Sequence, residues 1–415
     1  MKIKKWNTTT ALFFITVLAI QNFAQLIPTT SYIIPGLVKF SDLGIIAIII
    51  FFLWSYFGVR TRKGIKYEYS IIIAALIILI IISSYVAEIK FDQSIFIGVR
   101  SMRTLIACFL LYFPVTRMLS IGQIKYKDFI KILFLVGVFE LTVYTLQYLL
   151  ADTITFLYID TTEVRYNSTR LRVPYLLPMV LGLYCYDSIL VGRANNLRKK
   201  LCNALMMGGS IFLLFIVCKH RAPSLILVCT IGLGYLLWKK NFSVKFVVGA
   251  LLVVLTVVFL SNSDIFLSAI NGLTNLNSSD NTLRVREAGQ LYYIQKISES
   301  PIFGYGYPNI NNPSAQYSAG TRYNFFILDN GVIGFTYIQG IAGVIWLAFM
   351  FLKSYRMSFA LYRNRISYFF LLYFFYETIN MYIGMHWYFL NPLPFVLVLI
   401  LLEYNYKEMN NRLYE

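Results

Sequence analysis

Tyr69-Ser70-Ile71-Ile72-Ile73-Ala74-Ala75-Leu76-Ile77-Ile78-Leu79-Ile80-Ile81-Ile82-Ser83-Ser84-Tyr85-Val86-Ala87 carries no charge, and its only polar groups are hydroxyls. As a helix this stretch is about as long as the roughly 30 Å hydrocarbon core of a bilayer is thick. Lys66 and Glu68 precede it, and Glu88 and Lys90 follow. An apolar run of this length between charged flanks predicts a transmembrane helix.

Working outward, similar runs recur near 10–27, 38–59, 99–117, 129–150, 173–191, 203–218, 222–238, 245–261, 325–352, 366–385 and 388–404. The expected fold is therefore all-α and polytopic, with about 12 transmembrane helices. The composition agrees: hydrophobic residues are 58% and charged residues 13%, too apolar for a water-soluble chain of 415 residues. The first run follows Lys2, Lys4 and Lys5 and is not followed by a small-residue cleavage site, so it reads as an uncleaved helix. If the chain starts inside and alternates, every inside segment holds Lys or Arg, from Lys2 through Arg60, Arg117, Arg193, Lys239 and Lys353 to Lys407. The positive-inside bias then puts both termini in the cytoplasm. Three regions follow: helices 1–9 over 1–261, a large outer loop over 262–324, and helices 10–12 with a short tail over 325–415.

The net charge of +18 does not indicate nucleic acid, because the basic residues form small clusters between apolar runs and no nucleic-acid signature is present. The cysteines lie in or beside apolar runs without paired spacing and read as packing residues. More informative are the arginines assigned to the outer side against the topological bias, namely Arg100, Arg103, Arg165, Arg170, Arg172, Arg221, Arg284, Arg286 and Arg322. Guanidinium forks grip phosphate and carboxylate oxygens with two hydrogen bonds at once, so these residues point to an anionic ligand. The plainer alternative is ion pairing with Glu163, Asp280, Glu287 and Glu299.

Within the large loop, Asp280-Asn281 opens a predicted helix, with Leu291, Ile294 and Ile297 at three-residue spacing and Ser300-Pro301 as its stop. Gly304-Tyr305-Gly306 follows, a turn able to approach a ligand closely. Asp329-Asn330 opens the next span, and an ionisable group there is a functional candidate; its structural alternative is pairing with Arg322 or another arginine. Gly340 and Gly343 lie further along that span and suit close helix packing. Lys219-His220-Arg221 occupies a short outer turn, where snorkelling to headgroups is the alternative role. The two histidines, His220 and His386, are too few for a metal site, and no Asp-x-Asp occurs. Glu140 and Glu377 stand alone within spans and are expected to bond to Tyr and Asn on neighbouring helices, with proton relay as the alternative role.

Arg221 after a short turn, Arg284 or Arg286 leading a helix that ends in Pro301, Gly304 and Gly306, and Asp329-Asn330 followed at nine residues by Gly340 to Gly343 stand in a telling order. In that order and spacing the chain resembles the O-antigen polymerase and O-antigen ligase superfamily of bacterial envelope enzymes. It departs from the ligase pattern in having Asp329 where that pattern has His, which favours the polymerases. The resemblance implies a GT-C-like membrane fold and metal-independent, inverting glycosyl transfer without a cofactor. The implied substrate is an oligosaccharide repeat unit on polyprenyl pyrophosphate, presented at the outer face of the bacterial cytoplasmic membrane. Membrane lipids, a chain-length regulator and a repeat-unit flippase are the implied partners. The catalytic candidates are Asp329, Arg221 and Arg284; the substrate-binding candidates are Arg286, Arg322, Arg170, Arg172, Arg100, Arg103, Gly304, Gly306, His220 and Asn330. A ligase shares the donor chemistry; a transporter or flippase predicts mid-membrane charge and an internal repeat; a non-catalytic scaffold would tolerate loss of Arg284 and Asp329.

Overall fold

The computed structural model describes residues 6–28, 31–34, 38–61, 64–159, 163–165, 168–193, 196–238, 281–309 and 311–414. Lys2, Lys4, Lys5, the predicted span at 245–261 and the loop through Asp280 lie outside them. The long helices, numbered among the described residues, are α1 Thr8–Ile20, α2 Leu43–Leu53, α3 Ser70–Phe91, α4 Arg103–Ser120, α5 Tyr126–Leu149, α6 Leu176–Leu190, α7 Leu197–Phe212, α8 Arg221–Leu237, α9 Asn281–Glu299, α10 Gly331–Arg363, α11 Phe369–Ile383 and α12 Leu393–Tyr414. The described strands form two small antiparallel hairpins, Tyr32–Ile34 with Val38–Lys39 and Glu163–Arg165 with Ser168–Arg170.

Every predicted span that falls within the described residues coincides with a helix. Among those residues, 6 helices are long and apolar enough to cross a membrane, and shorter apolar helices run over Thr8–Ile20, Leu176–Leu190, Ala222–Leu237 and Phe369–Ile383. The chain is an all-α membrane protein. Helix α3 shows the reason in its side chains. Ile71 is 82% exposed and Ile89 67%, whereas Ser83 and Ser84 are buried against the bundle. Such an outward apolar face is stable only against lipid. Small residues line the helix contacts: a Cβ on Gly98 would come within 2.6 Å of Ser84 Oγ, and one on Gly182 within 2.7 Å of Ser210 Oγ.

The bundle has two differently built ends. At one, Lys353 pairs with Glu68 at 3.2 Å, Arg117 Nε donates to Ser55 O at 3.0 Å, and Lys407 pairs with Glu403. At the other, Arg103 pairs with Asp42 at 2.8 Å, Asn391 Nδ2 donates to Gln21 Oε1 at 2.9 Å, and Gln93 Nε2 donates to Tyr307 O at 2.7 Å. Candidate site residues stand beside this second set, with Arg100 and Arg103 next to Asp42 and Gly306 next to Tyr307.

Helix α10 breaks at Gly340, where φ is 65° and ψ is −165°. A break frees carbonyls below it and amides above it. The segment after Pro301 takes up both sets. Tyr305 and Gly306 donate to the carbonyls of Tyr337 and Ile338 at 2.7 and 3.0 Å, and Ile341 and Ala342 donate to those of Pro301 and Ile302 at 2.8 and 3.1 Å. Only glycine fits where these backbones meet: a Cβ on Gly304 would lie 2.5 Å from Tyr337 O, and one on Gly306 2.0 Å from Ser83 O. The Gly304/Gly306 turn expected to approach a ligand is instead spent approaching protein backbone.

Candidate active site

Helix α9 begins the site. It stops, as predicted, at Ser300-Pro301. Of the apolar residues at three-residue spacing, Ile297 packs on the core while Leu291 is 66% and Ile294 51% exposed; the packed face is that of Gly289 and Tyr293. Side chains three and four apart share a helix face, so Arg286 lies on the Gly289–Tyr293 side. Arg284, two residues back, is exposed.

Opposite that face stands the turn Ile327–Asn330, which leads into α10. Its position depends on Gly331, at φ 49°, whose Cβ would lie 2.1 Å from Met381 O at the end of α11. With no side chain there, the turn seats Asp329 and Asn330 against α9. An Arg286 Nη lies 4.0 Å from an Asp329 carboxylate oxygen, with both side chains part-exposed. The amide of Asn330 donates to Phe326 O at 2.8 Å and borders Gly289. Two polar atoms remain unspent: Arg286 Nε and Asn330 Oδ1 are buried and have no hydrogen-bond partner among the described residues. A buried donor or acceptor left unsatisfied costs about 1–3 kcal/mol, so such atoms mark a place where a partner belongs.

Beside Arg286 lies His386, in the short helix after α11. Burial, and then the Arg286 charge, push its pKa down to about 4, so the imidazole is neutral near pH 7. Its Nδ1 is 2.6 Å from the Tyr175 hydroxyl. The Tyr175 ring lies 5.0 Å from that of His220, and the two imidazoles are 6.1 Å apart.

His220 reaches the cluster through a helix end. Helix α7 widens into a π turn over Leu213–Val217, and Lys219, at φ 50°, then reverses the chain. Cys218 N and His220 N cap the turn by donating to Leu213 O and Leu214 O. Arg170, buried at the end of its hairpin, ties this turn down: its Nε donates to Cys218 O at 2.9 Å and an Nη lies 3.2 Å from His220 Nδ1. A guanidinium only donates, so in this contact His220 Nδ1 stands as the acceptor. Lys219 is 4% exposed; burial, and then the Arg170 charge, lower its pKa.

Arg286, Asp329 and Asn330 thus form one group and Arg170, His220, Tyr175, His386 and Lys219 a second, with the Arg286 charge felt at His386. The remaining candidates stand elsewhere. Arg100, Arg172 and Arg322 are exposed, and Arg103 is engaged by Asp42 and by the Arg100 carbonyl. Arg221 opens α8, but its side chain lies outside what the structure describes. Glu140 does not make the expected bonds to neighbouring helices, its buried carboxyl having no hydrogen-bond partner among the described residues, whereas Glu377 faces a Tyr and an Asn of its own helix, Tyr373 and Asn380. No three His, Cys, Asp or Glu among the described residues gather as metal ligands. His386 carried one sequence signal, as one of only 2 histidines; Tyr175 carried none among 32 tyrosines.

Cationic and hydroxyl-directing groups therefore share one part-open mouth: a guanidinium with a free Nε, a carboxylate 4.0 Å away and a neutral imidazole behind them. The chain matches no protein-family description, and no curated protein matches it.

Proposed function

We propose that this protein is a polysaccharide polymerase that joins oligosaccharide repeat units carried on polyprenyl pyrophosphate, at the outer face of a bacterial cytoplasmic membrane. In this reading the chain crosses the bilayer about 12 times with both termini inside, and the Arg286–Asp329 mouth opens on the outer side. The observation that carries it is the pairing at that mouth: an Arg286 guanidinium with an unspent buried Nε, 4.0 Å from the Asp329 carboxylate.

The chemistry follows from the parts. The oxygen of an acceptor hydroxyl attacks the anomeric carbon of the donor sugar. The bond from that carbon to the pyrophosphate oxygen breaks, and its electron pair leaves on the pyrophosphate. Arg286 stabilises the charge that develops there, and fixed donors of this kind act most strongly where water is excluded. Asp329 takes the hydroxyl proton. Attack opposite the leaving group inverts the anomeric centre. Arg170 and Lys219 extend the positive field behind the mouth, while the exposed apolar edge of α9 at Leu291 and Ile294 suits a lipid tail. Sequence alone left Arg284 and Arg286 open for the pyrophosphate; the packed face of α9 favours Arg286.

The test is chain extension in reconstituted vesicles from single lipid-linked repeat units. Asp329→Ala and Arg286→Ala should each lose the ladder of products while the protein remains folded. A ladder of undiminished intensity from both variants would end the proposal. Transfer of one finished glycan with no ladder would instead identify a ligase.

A further inference from the structure

A cavity of different chemistry reaches the cluster through the chain neighbours of its residues, since Pro174 and Tyr388 in its wall lie one and two residues from Tyr175 and His386. Its volume is about 230 Å³, and it is walled by the end of α1, the start of α2 and α4, and the segment through Asn391. Gln21, Asn22, Gln25, Ser101, Thr104 and Asn391 contribute amides and hydroxyls, and no lining residue carries a charge. The nearest charges along the chain, Asp42 and Arg103, neutralise each other at 2.8 Å.

Two independent features mark this cavity as built. Gln21 is 2% exposed and lends its carbonyl to Asn391, yet its Nε2 is buried with no partner among the described residues. Asn22, Phe23, Ala24 and Gln25 then form a left-handed turn, with φ of 50°, 51°, 56° and 61° and no glycine among them. Side chains such as those of Phe23 and Ala24 rarely adopt this backbone, and strain of this kind persists only where the surroundings hold it. Here it carries Asn22 and Gln25 into the cavity wall.

An anion finds no countercharge here, and a purely apolar group would leave the amides unpaired. Hydroxyl groups both donate and accept, as side-chain amides do. The aromatic side chains of Tyr388 and Phe389 add an apolar face on the same wall. We infer that this cavity is a subsite for one uncharged sugar residue of the glycan, adjoining the site of transfer. The inference rests on the proposed glycan chemistry for the identity of its ligand.

The experiment uses the full chain in detergent and two probes read by saturation-transfer NMR. One probe is the phosphate-free single repeat unit cut from the producing strain's own surface polysaccharide. The other is farnesyl diphosphate. Wild type should bind both. Gln21→Leu should weaken the oligosaccharide by about tenfold or more and leave farnesyl diphosphate within about twofold. Thr104→Val, which removes a single hydroxyl, should weaken the oligosaccharide in the same direction and serves as the second variant should Gln21→Leu fail to fold. Oligosaccharide binding that is absent from wild type, or unchanged in the folded variants, overturns the subsite even when farnesyl diphosphate binds. Farnesyl diphosphate failing to bind while the oligosaccharide binds through Gln21 overturns the pyrophosphate site and leaves the subsite standing.

Discussion

Two neighbouring regions treat their polar groups in opposite ways. Where the segment after Pro301 meets broken helix α10, the freed carbonyls of Tyr337 and Ile338 and the amides of Ile341 and Ala342 all have a backbone partner. At the mouth beside it, Arg286 Nε and Asn330 Oδ1 are buried and unmatched. Both regions lie where the chain passes between α9 and α10, so the contrast is not one of location. It separates a framework, whose hydrogen bonds are complete, from the proposed site, where two buried polar atoms are left unmatched. Motifs that look alike on paper can fall on either side of that line.

Breaking the framework should have the largest effect. Gly306→Ala sets a Cβ 2.0 Å from a backbone oxygen of α3 at a positive φ, which costs about 3 kcal/mol or more. The expected result is little or no folded protein, measured as yield and thermal midpoint in detergent. A fully stable variant would mean that the turn is loosely held.

Breaking the site should leave the fold intact and stop the chemistry. Arg286→Ala should slow chain extension about 100-fold or more, as loss of a charge-stabilising donor does, with the thermal midpoint little moved. Arg284→Ala, on the exposed side of α9, should stay within about threefold. Equal losses in the two would erase the distinction between the two faces of that helix.

A third effect is graded by pH. His386 is held near pKa 4, whereas its ordinary value is 6.5. The unfolded chain therefore binds a proton that the folded chain refuses, so stability falls as pH drops from about 6.5 towards 4. The full contribution is on the order of 3 kcal/mol. Thermal midpoints between pH 7 and pH 4.5 should decline in wild type and less steeply in His386→Gln. Identical slopes would remove His386 from the buried cluster.

The smallest effect is expected at Arg103. Its pairing with Asp42 is part-exposed, and such pairs contribute up to about 1 kcal/mol. Arg103→Ala should keep extension within about twofold, since this guanidinium already has its carboxylate. A large loss of extension would return Arg103 to the ligand-binding set.

The helices were legible because a span leaves a mark in consecutive residues: Ser70–Phe91 reads as apolar without any knowledge of its neighbours. Helix α9 and its stop at Pro301 were legible for the same local reason. What escaped depends on contacts between distant residues. Which of Arg284 and Arg286 faces the site follows from Gly289 packing on Asn330, and Leu291 and Ile294 point to the wrong face. The role of Gly304 and Gly306 requires the break at Gly340. Tyr175 and His386 lie 211 residues apart, and nothing near either announces the other.

The interruption of α10 at Gly340 also bears on motion. A helix broken in a membrane would ordinarily be the natural place to flex, since loosened amides exchange with solvent. Here the four backbone bonds around it are replaced one for one by the segment after Pro301. The amides of Ile341 and Ala342 should therefore exchange hydrogen as slowly as those in an unbroken helix, and the upper part of α10 should move together with α9 as a single body. If the chain handles a glycan as proposed, the opening that admits it then falls to elements other than α9 and α10, and not to a hinge at the break.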